Sequence, residues 1–269
     1  MNPYRPTRTR ILSRREEGKG YVTLGVKFAP QHAPGQFVQA GILGVGESPL
    51  SIASFRAGTM ELSLHVVGNV TKSLAALRQG DSLHIRGPYG KGYPMGELQG
   101  RNLVLLGGGC GIASLRGVLH FLEGCPGKFG RVDTFFGFRS DDAMLFREEF
   151  PTWKDRFGLR ISLDAAGEVP PGGTAKVNGH ACEVGFVTSV LERAAPSPEN
   201  SAALICGPPL MTRAAVQVLR KQGFSDNQVY VSSERLMYCA MGKCCHCMIK
   251  GKFTCLDGPV FRLDELEEL

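Results

Sequence analysis

Four cysteines near the carboxyl end of the chain constrain its fold more than any other feature. Their spacing is C-x4-C-x2-C-x7-C, and they are Cys239, Cys244, Cys247 and Cys255. The C-x4-C-x2-C opening is the plant-type spacing for a [2Fe-2S] cluster, although here the fourth cysteine follows soon after the third. Gly242 and Gly251 would let backbone amides approach sulfur closely. The spacing predicts a cluster in a tight loop, and a one-electron carrier needs an electron source elsewhere in the chain.

Zinc is the alternative occupant of this loop. Cys244, Cys247 and His246 could contribute to a tetrahedral site of four cysteines, or of three cysteines and a histidine. Structural zinc sites usually pair two C-x2-C knuckles, and this loop has one, so we favour iron. Cys245 lies between two predicted ligands and is expected to be a free thiol. Disulfides are disfavoured because the nine cysteines are an odd number.

Length and charge limit the remaining possibilities. A chain of 269 residues can form two domains and an appendage. The amino terminus lacks the apolar run of a secretory signal, and no apolar stretch of about 18 residues occurs, so we expect a cytoplasmic protein without membrane insertion. The net charge is +6, but the basic residues are scattered, so nucleic acid is not expected as a partner. The excess fits nucleotide phosphates, an acidic partner subunit or an ordinary solvated surface.

Residues 1–97 show the alternation of antiparallel strands. Turn signals interrupt them about every eight to twelve residues, among them Gly44-Val45-Gly46, Gly80-Asp81 and Gly87-Pro88. The pattern predicts a small antiparallel β-barrel with one short helix over 71–78, capped by Thr71.

Residues 98–228 have a different pattern, in which short apolar runs alternate with candidate helices. The runs lie at 103–106, 132–136, 159–163, 203–206 and 229–231, and the helices at 114–122, 143–150, 187–193 and 211–222. This alternation is typical of a doubly wound parallel α/β domain, with a loop or hairpin inserted over 167–185. The predicted fold is therefore α+β and multi-domain: a barrel, a Rossmann-like domain and a cluster-binding tail over 229–269.

Two glycine-rich loops follow predicted parallel strands. The first contains Gly107, Gly108, Gly109 and Gly111 and precedes a helix, where glycines let backbone amides approach a pyrophosphate. Alone this is a weak signal, because it lacks the G-x-G-x-x-G order and could be only a tight turn. The second is Cys206-Gly207-Pro208-Pro209. Both loops should meet at the carboxyl edge of the sheet, where ligands bind in this architecture.

The order of these motifs resembles that of ferredoxin-reductase-type flavoproteins. Within them the chain is most similar to the electron-transfer subunits of NAD(P)-linked hydrogenases (the gamma, or diaphorase, subunit of sulfhydrogenases), anaerobic sulfite reductases and dihydroorotate dehydrogenases. The similarity covers essentially the whole chain, and its motifs include PGQFV, SPLSI, GNVT, RGPYG, GGGCGIASLRG, ICGPPLM and DGPVF.

The resemblance implies FAD in the barrel, NAD(P)H on the Rossmann-like domain and a [2Fe-2S] cluster in the tail. The residues that would lie against the isoalloxazine are Pro49, Leu50, Ser51 and Ile52, with Ser51 near its N5 edge. Those that would receive the FAD phosphates at the start of the short helix are Gly68, Val70 and Thr71. Without the resemblance, 49–52 would be a core strand and Thr71 only a cap.

One departure from the family pattern separates its branches. Many of these flavoproteins have Arg at the position of Ser48 and Tyr at that of Leu50, and this chain has neither. Hydrogenase and sulfite reductase subunits often lack that Arg, so the difference favours them over dihydroorotate dehydrogenase subunits. The candidates for the missing phosphate contact are Arg56, His65 and Lys72.

The resemblance implies a converter between two-electron and one-electron transfer, because a flavin accepts a hydride and a cluster passes single electrons. The catalytic assignments are Ser51 beside the flavin and Cys206 near the nicotinamide, with a buried strand-end thiol as the alternative for Cys206. The histidines are isolated and indicate structural or surface roles: His65, His120, His180 and His246. Electrons would leave to a partner redox subunit, with an amphipathic helix over 262–269 as a docking element.

The partner expected first is a hydrogenase, followed by a sulfite-reducing, heterodisulfide-type or dihydroorotate dehydrogenase complex. Two other classes stay open: a zinc-stapled nucleotide-binding regulator, and a self-contained reductase for a small diffusible acceptor. The nucleotide is also open. Arg139 could meet the 2′-phosphate of NADPH, whereas Asp141 and Asp142 could favour the free ribose of NADH.

Overall fold

The computed structural model describes residues 4–28 and 30–266. They form an antiparallel barrel, a mixed sheet flanked by helices, and a cysteine-rich loop that lies between the last two strands of that sheet. None of the helices in these ranges is long and apolar enough to cross a lipid bilayer.

The barrel predicted for the first part of the chain is confirmed. Its strands are β1 (Thr7–Gly18), β2 (Tyr21–Val26), β3 (Phe37–Ile42), β4 (Gly46–Ser51), β5 (Met60–His65) and β6 (Ser82–Tyr89). Their order is β4-β3-β6-β1-β2-β5, and a bridge between Ile52 and Leu62 joins the two ends. Alternate apolar side chains such as Leu24, Val38 and Ile85 fill the interior, as expected for a half-buried antiparallel sheet.

The short helix of the barrel, α1 (Asn69–Ala75), begins two residues earlier than predicted. Thr71 does not precede it. Instead, the Thr71 hydroxyl accepts hydrogen bonds from the backbone N–H groups of Val67 and Gly68, at 3.1 and 3.0 Å. This is the reciprocal half of a capping box, so Thr71 caps the helix from within its first turn.

The second sheet is the predicted doubly wound domain. The remaining strands are β7 (Asn102–Gly108), β8 (Val132–Phe138), β9 (Arg160–Leu163), β10 (Thr174–Val177), β11 (His180–Val184), β12 (Ser201–Cys206), β13 (Val229–Ser232), β14 (Met248–Ile249), β15 (Lys252–Phe253) and β16 (Val260–Arg262). The sheet has the order β10-β11-β9-β8-β7-β12-β13-β16, parallel except at its two edges. The helices are α2 (Ile112–Glu123), α3 (Phe150–Phe157), α4 (Val187–Ala194) and α5 (Pro209–Lys221).

The helix predicted over 143–150 is wrong. Phe146 has a left-handed backbone (φ 57°) and is followed by a 3-10 turn over Arg147–Glu149, so α3 begins only at Phe150. Pro151 lies in its first turn, where the missing N–H of proline costs nothing. The hairpin predicted within 167–185 is present as β10 and β11, and β11 extends the sheet beside β9.

The end of the chain also differs from the prediction. Instead of an amphipathic helix over 262–269, the described residues form β16 and a 3-10 turn over Leu263–Glu265, and 267–269 lie outside the described residues. β16 pairs antiparallel with β13, and Leu263 is buried. β13 and β16 lie within the range predicted for the tail, but they belong to the nucleotide sheet, because their side chains complete the core of that sheet. The cysteine loop is therefore an excursion over 233–259.

Arg116 on α2 ties this domain to the barrel. Its side chain is only 2% exposed and donates hydrogen bonds to the Ala53 carbonyl at 2.8 Å, Glu61 at 2.6 Å and Glu149 at 2.6 Å. Ala53 and Glu61 belong to the barrel, and Glu149 to the nucleotide domain. A buried cation is stable only when its donors are satisfied in this way, so the two domains have a fixed relative position.

Two of the candidate polar residues are part of this ion network. His120 Nε2 lies 2.7 Å from a Glu149 carboxylate oxygen, and Arg56 lies 3.2 Å from the same ring nitrogen and 3.8 Å from Glu149. His120 is therefore structural, as expected. Arg56 is engaged at the domain interface, and its contact with the FAD pyrophosphate stays a prediction.

We expect Glu61→Gln to destabilise the protein by about 3 kcal/mol at pH 7. Burial raises the pKa of Glu61, but Arg116 and Arg15 outweigh it and lower the pKa to about 2. Because the folded pKa is depressed, this stabilisation is present above the ordinary carboxyl pKa of 4.5 and is lost as the pH falls toward 2. Urea unfolding at a series of pH values measures it.

The matched control is Glu16→Gln. Glu16 is 73% exposed and pairs with Arg14 at 3.1 Å, and such surface pairs contribute about 0.5 kcal/mol. Equal losses in the two variants, or a Glu61→Gln loss that persists at acidic pH, would contradict the assignment.

Candidate functional site

The two predicted nucleotide loops lie side by side, at the point where the strand order of the sheet reverses. β7 and β12 are neighbours, and Gly107 pairs directly with Cys206. The chain leaves β7 toward β8 on one side and leaves β12 toward β13 on the other. Ligands of doubly wound sheets bind in the crevice at this switch point, so the meeting of the loops is confirmed.

Close packing explains why one of the glycines is required. A Cβ added at Gly111 would lie 2.4 Å from the carbonyl carbon of Cys206, a distance that no side chain tolerates. The glycine therefore lets the first loop touch the second. Pro209 begins α5 and Pro208 precedes it, and proline at the first helical position is favourable. Nucleotide contacts by Gly107, Gly108, Gly109, Gly111, Gly207, Pro208 and Pro209 stay predictions.

Cys206 ends β12 and is almost fully buried. Burial raises the pKa of its thiol, and the negative charge of Glu234 raises that pKa further. Hydrogen bonding with the hydroxyls of Ser232 and Ser114 lowers the pKa and offsets part of this rise. The thiol therefore stays protonated at neutral pH and can donate a weak hydrogen bond. A protonated thiol suits the predicted orienting role at the switch point, which stays a prediction.

Glu234 was missed by the sequence analysis. It follows β13, and its carboxylate accepts a hydrogen bond from the Cys110 thiol at 3.7 Å. Burial and Glu234 together raise the pKa of Cys110 to about 12, and partial burial raises the pKa of Glu234. A signal was available, because an acidic residue directly after a parallel strand lies at the ligand-binding edge of the sheet.

The strand predicted to lie against a flavin is divided between two faces. Leu50 and Ile52 point into the barrel core, whereas Pro49 and Ser51 are half-buried on the outer face. Only Pro49 and Ser51 can offer side chains to a ligand, and the other two can offer only backbone. This division follows from the alternation of side chains along a strand.

The start of α1 has an open backbone. A Cβ added at Gly68 would meet nothing within 4 Å, whereas the Val70 side chain packs near Gly46. The Thr71 hydroxyl is already used in capping. Phosphate contacts by Gly68, Val70 and Thr71 stay predictions.

His65 and Arg139 lie at the junction of the domains. The His65 ring stacks on Tyr21 at 4.4 Å, and Tyr21 Oη would lie 3.7 Å from a Cβ at Gly109, so this stack contacts the first nucleotide loop. Arg139 is exposed at the carboxyl end of β8. Asp142 accepts a hydrogen bond from Ser140 and therefore already has a partner.

The cysteine loop has the hydrogen bonding of a metal–sulfur site. Cys239 Sγ accepts hydrogen bonds from the backbone N–H groups of Met241, Lys243 and Cys244, each at 3.4 Å. Burial raises the pKa of Cys239, but these donors outweigh it and lower the pKa to about 6. They favour the thiolate that binds a metal. Gly242 has a left-handed backbone, with φ of 68°, which favours glycine, and its N–H donates a hydrogen bond to Cys255 Sγ at 3.1 Å.

The four sulfurs are arranged in two pairs. The Cys244 thiol lies beside that of Cys239, and the Cys247 thiol lies beside that of Cys255. Two adjacent pairs of cysteine thiolates are a donor set that would hold two iron atoms. The residues present therefore fit a [2Fe-2S] cluster.

Two further side chains of this loop lie outside these pairs: His246, the other candidate zinc ligand, and Cys245, the expected free thiol. The His246 ring packs on Tyr238 at 4.3 Å. Cys245 is exposed and has a left-handed backbone, with φ of 58°.

Known families match both halves of the site. The profile of the iron-sulfur cluster binding domain of dihydroorotate dehydrogenase B matches residues 234–267, and that of the oxidoreductase NAD-binding domain matches residues 105–217. The sulfhydrogenase 2 subunit gamma of Pyrococcus furiosus is 36% identical over 282 residues, covering 97% of this chain and 96% of that protein. The chain belongs to the family of the sulfhydrogenase gamma subunits and the dihydroorotate dehydrogenase B electron transfer subunits.

A second relative agrees with this membership, and two solved structures share the fold. The probable dihydroorotate dehydrogenase B (NAD(+)) electron transfer subunit of Thermococcus kodakarensis is 34% identical over 236 residues, covering 88% of this chain and 87% of that one. A chain of NADH-dependent reduced ferredoxin-NADP oxidoreductase superposes with a TM-score of 0.76 at 24% identity, covering 96% and 91%.

The ferredoxin NADP+ reductase from Neisseria gonorrhoeae, whose structure contains FAD and NADP, superposes with a TM-score of 0.68 at 20% identity, covering 84% of this chain and 98% of that one. These structures confirm the ferredoxin reductase-like fold that the resemblance implied.

We expect Cys247→Ser to abolish iron binding and Cys245→Ser to retain it, because Cys247 is buried in the paired set and Cys245 is exposed outside it. Iron and zinc analysis with visible absorption spectroscopy of anaerobically purified protein measures this. Loss of iron from both variants alike, or one zinc per chain in the unsubstituted protein, would contradict the assignment of the ligands.

Proposed function

We propose that this protein is an electron-transfer (diaphorase) subunit that passes electrons between NAD(P)H, FAD and a [2Fe-2S] cluster, to or from a partner redox subunit. The observation that carries the proposal is that one segment, 233–238, connects the nucleotide crevice with the cysteine loop. At its start, Glu234 contacts Cys110 at the switch point of the sheet. At its end, the Tyr238 carbonyl is bound by Arg86 of the barrel, beside the paired cysteines. When bound, the nucleotide would supply a hydride, the flavin would accept it as a pair of electrons, and the cluster would carry them singly.

Each group of residues has a part in this proposal. The glycines and prolines of the two loops bind the dinucleotide, and the protonated Cys206 thiol orients the ring above it. Pro49 and Ser51 form the outer wall of the flavin site, and the backbone of 68–70 receives its phosphates. The protein needs no acid–base pair for this chemistry, because its task is to bind, orient and exclude water.

The structure supports a revised division of the chain. We infer a flavin-binding barrel over 1–97, a nucleotide domain that includes 98–232 and 260–266, and a cluster loop over 233–259. This division keeps β13 and β16 with the sheet whose core they complete.

A cytoplasmic hydrogenase is the partner we propose first. The sulfhydrogenase gamma subunit is similar over nearly its whole length, and Ser48 stands where many dihydroorotate dehydrogenase subunits have Arg. A sulfite reductase, heterodisulfide-type or dihydroorotate dehydrogenase complex is the alternative. All nine cysteines are free, which fits the reducing cytoplasm.

The decisive test is anaerobic purification with metal and flavin analysis, followed by electron paramagnetic resonance after adding NADH or NADPH in separate tubes. The proposal predicts FAD, iron and a rhombic S = ½ signal, and the tube that produces the signal identifies the nucleotide. Zinc without iron would leave a nucleotide-binding regulator, and rapid reduction of a small acceptor by the chain alone would favour a self-contained reductase.

We expect Arg139→Ala to weaken the binding of NADPH by about tenfold, or 1.4 kcal/mol, and that of NADH by much less. The physical reason is that the exposed guanidinium at the end of β8 can pair with a 2′-phosphate, which NADH lacks. Fluorescence titration with both nucleotides measures the two affinities. Equal losses for the two would show that Arg139 does not discriminate between them.

A further inference from the structure

The backbone just before the first cluster cysteine is held by two barrel side chains. Gln39 donates to the Met237 carbonyl at 3.5 Å, and Arg86 donates to the carbonyls of Tyr238 at 2.8 Å and Cys239 at 2.6 Å. Three successive carbonyls are thus bound by residues that face each other across β3 and β6. We call Gln39, Arg86 and its partner Glu47 the carbonyl clamp.

Arg86 is rigid and buried. Its side chain is 6% exposed, and its guanidinium binds both oxygens of Glu47, with Nε at 3.0 and 2.9 Å and Nη2 at 2.7 Å. The Tyr89 hydroxyl lies 3.2 Å from Nη1. The planar fork of arginine can bind a carboxylate and two carbonyls at once, which lysine cannot do. Such a complete set of partners offsets the cost of burying the charge.

The clamp lies close to the proposed flavin site. Gln39 pairs with Pro49 of β4 on one side and with Arg86 of β6 on the other. Neighbouring strands are about 4.8 Å apart, so Pro49 and Arg86 are separated by about 10 Å across one strand. Glu47, which anchors Arg86, lies on the same strand as Pro49 and Ser51. One rigid piece of barrel therefore carries the flavin wall and the attachment of the cluster loop.

Other contacts hold the loop independently of the clamp. Phe37 of the barrel packs in one apolar group with Met237, Ala240, Cys247 and Cys255. The Lys91 backbone N–H donates to the Gly258 carbonyl. Because these contacts stay when Arg86 is changed, the loop should remain attached but less exactly placed.

We propose that Arg86, anchored by Glu47, is a positioning residue that sets the distance and the electrostatic environment of the cluster relative to the flavin. This inference rests on the proposed function. Electron transfer between two cofactors slows steeply as their separation grows, and sites that perform chemistry need positioning within about 0.5 Å. The charge around a cluster also sets its reduction potential.

The test uses the full chain with its cofactors in four variants: Arg86→Gln, Arg86→Lys, Glu47→Gln and, as a matched control, Arg14→Gln. Arg14 also binds a carbonyl and a carboxylate, those of Ala75 and Glu16, which belong to the barrel. In stopped-flow measurements with NAD(P)H, we expect every variant to reduce its flavin at the rate of the unsubstituted protein. We expect cluster reduction to slow at least about tenfold in Arg86→Gln, less in Arg86→Lys, and not in Arg14→Gln.

The reduction potential supplies a second readout, which a purely structural role would not produce. Arg86→Gln removes a positive charge and should make the cluster potential more negative, whereas Glu47→Gln removes a negative charge and should make it more positive. Shifts of the same sign, or no shift with unchanged cluster reduction, would overturn the proposal. If Arg86→Gln does not fold, Arg86→Lys and Glu47→Gln decide between these outcomes.

Hydrogen exchange distinguishes failure of this inference from failure of the proposed function. Faster exchange of the amides of 237–244 in Arg86→Gln than in Arg14→Gln is expected whether or not the cofactors are bound, and equal exchange would overturn the clamp. A protein without flavin or without a cluster signal would overturn the proposed function. In that case the hydrogen-exchange comparison still tests the carbonyl clamp.

Discussion

The buried guanidinium of Arg116 is the interaction on which the arrangement of the two domains depends. It lies between Glu61 of the barrel and Glu149 of the nucleotide domain, at 2.6 Å from each, and it also donates a hydrogen bond to the Ala53 carbonyl. Such a pair stabilises little compared with an apolar contact but allows one geometry. The barrel cannot rotate against the sheet without leaving a buried charge unpaired. The flavin wall on β4 and the crevice between β7 and β12 therefore keep a fixed relation.

Arg86 has the corresponding role for the cluster loop. Both arginines are buried, both pair with glutamates, and both donate to backbone carbonyls of another part of the chain. Together they join the nucleotide crevice, the barrel and the paired cysteines. A protein that converts electron pairs into single electrons requires such connections. Its hydride donor and its cluster can exchange electrons only if their binding sites are close together and fixed.

Local patterns were enough to predict most of the fold. Turn signals located the barrel, apolar runs located the parallel strands, and the cysteine spacing located the metal loop. The helix over 143–150 was misplaced because Phe146 has a left-handed backbone, which no local pattern records, so the helix begins only at Phe150. The helix predicted over 262–269 is not formed by its described residues, because Arg262 ends β16, which pairs with β13, and Leu263–Glu265 form a 3-10 turn.

The site was predicted less completely, for a physical reason. The sequence pattern located the two loops and the cluster-binding region, since each is contiguous in the chain. It did not separate Pro49 and Ser51 from Leu50 and Ile52, and it missed Glu234 and the role of Arg86. These residues act through contacts with distant parts of the chain, Glu234 with Cys110 and Arg86 with Cys239, and no local pattern records such pairs.

The most direct test of the account is an anaerobic reductive titration of the purified chain that counts electrons. A chain with FAD and one [2Fe-2S] cluster should take up about three electron equivalents, two at the flavin and one at the cluster, with both chromophores bleached by a nicotinamide nucleotide. Uptake of only about two equivalents in a protein that contains zinc, or no uptake at all, would contradict the conversion of hydride into single electrons.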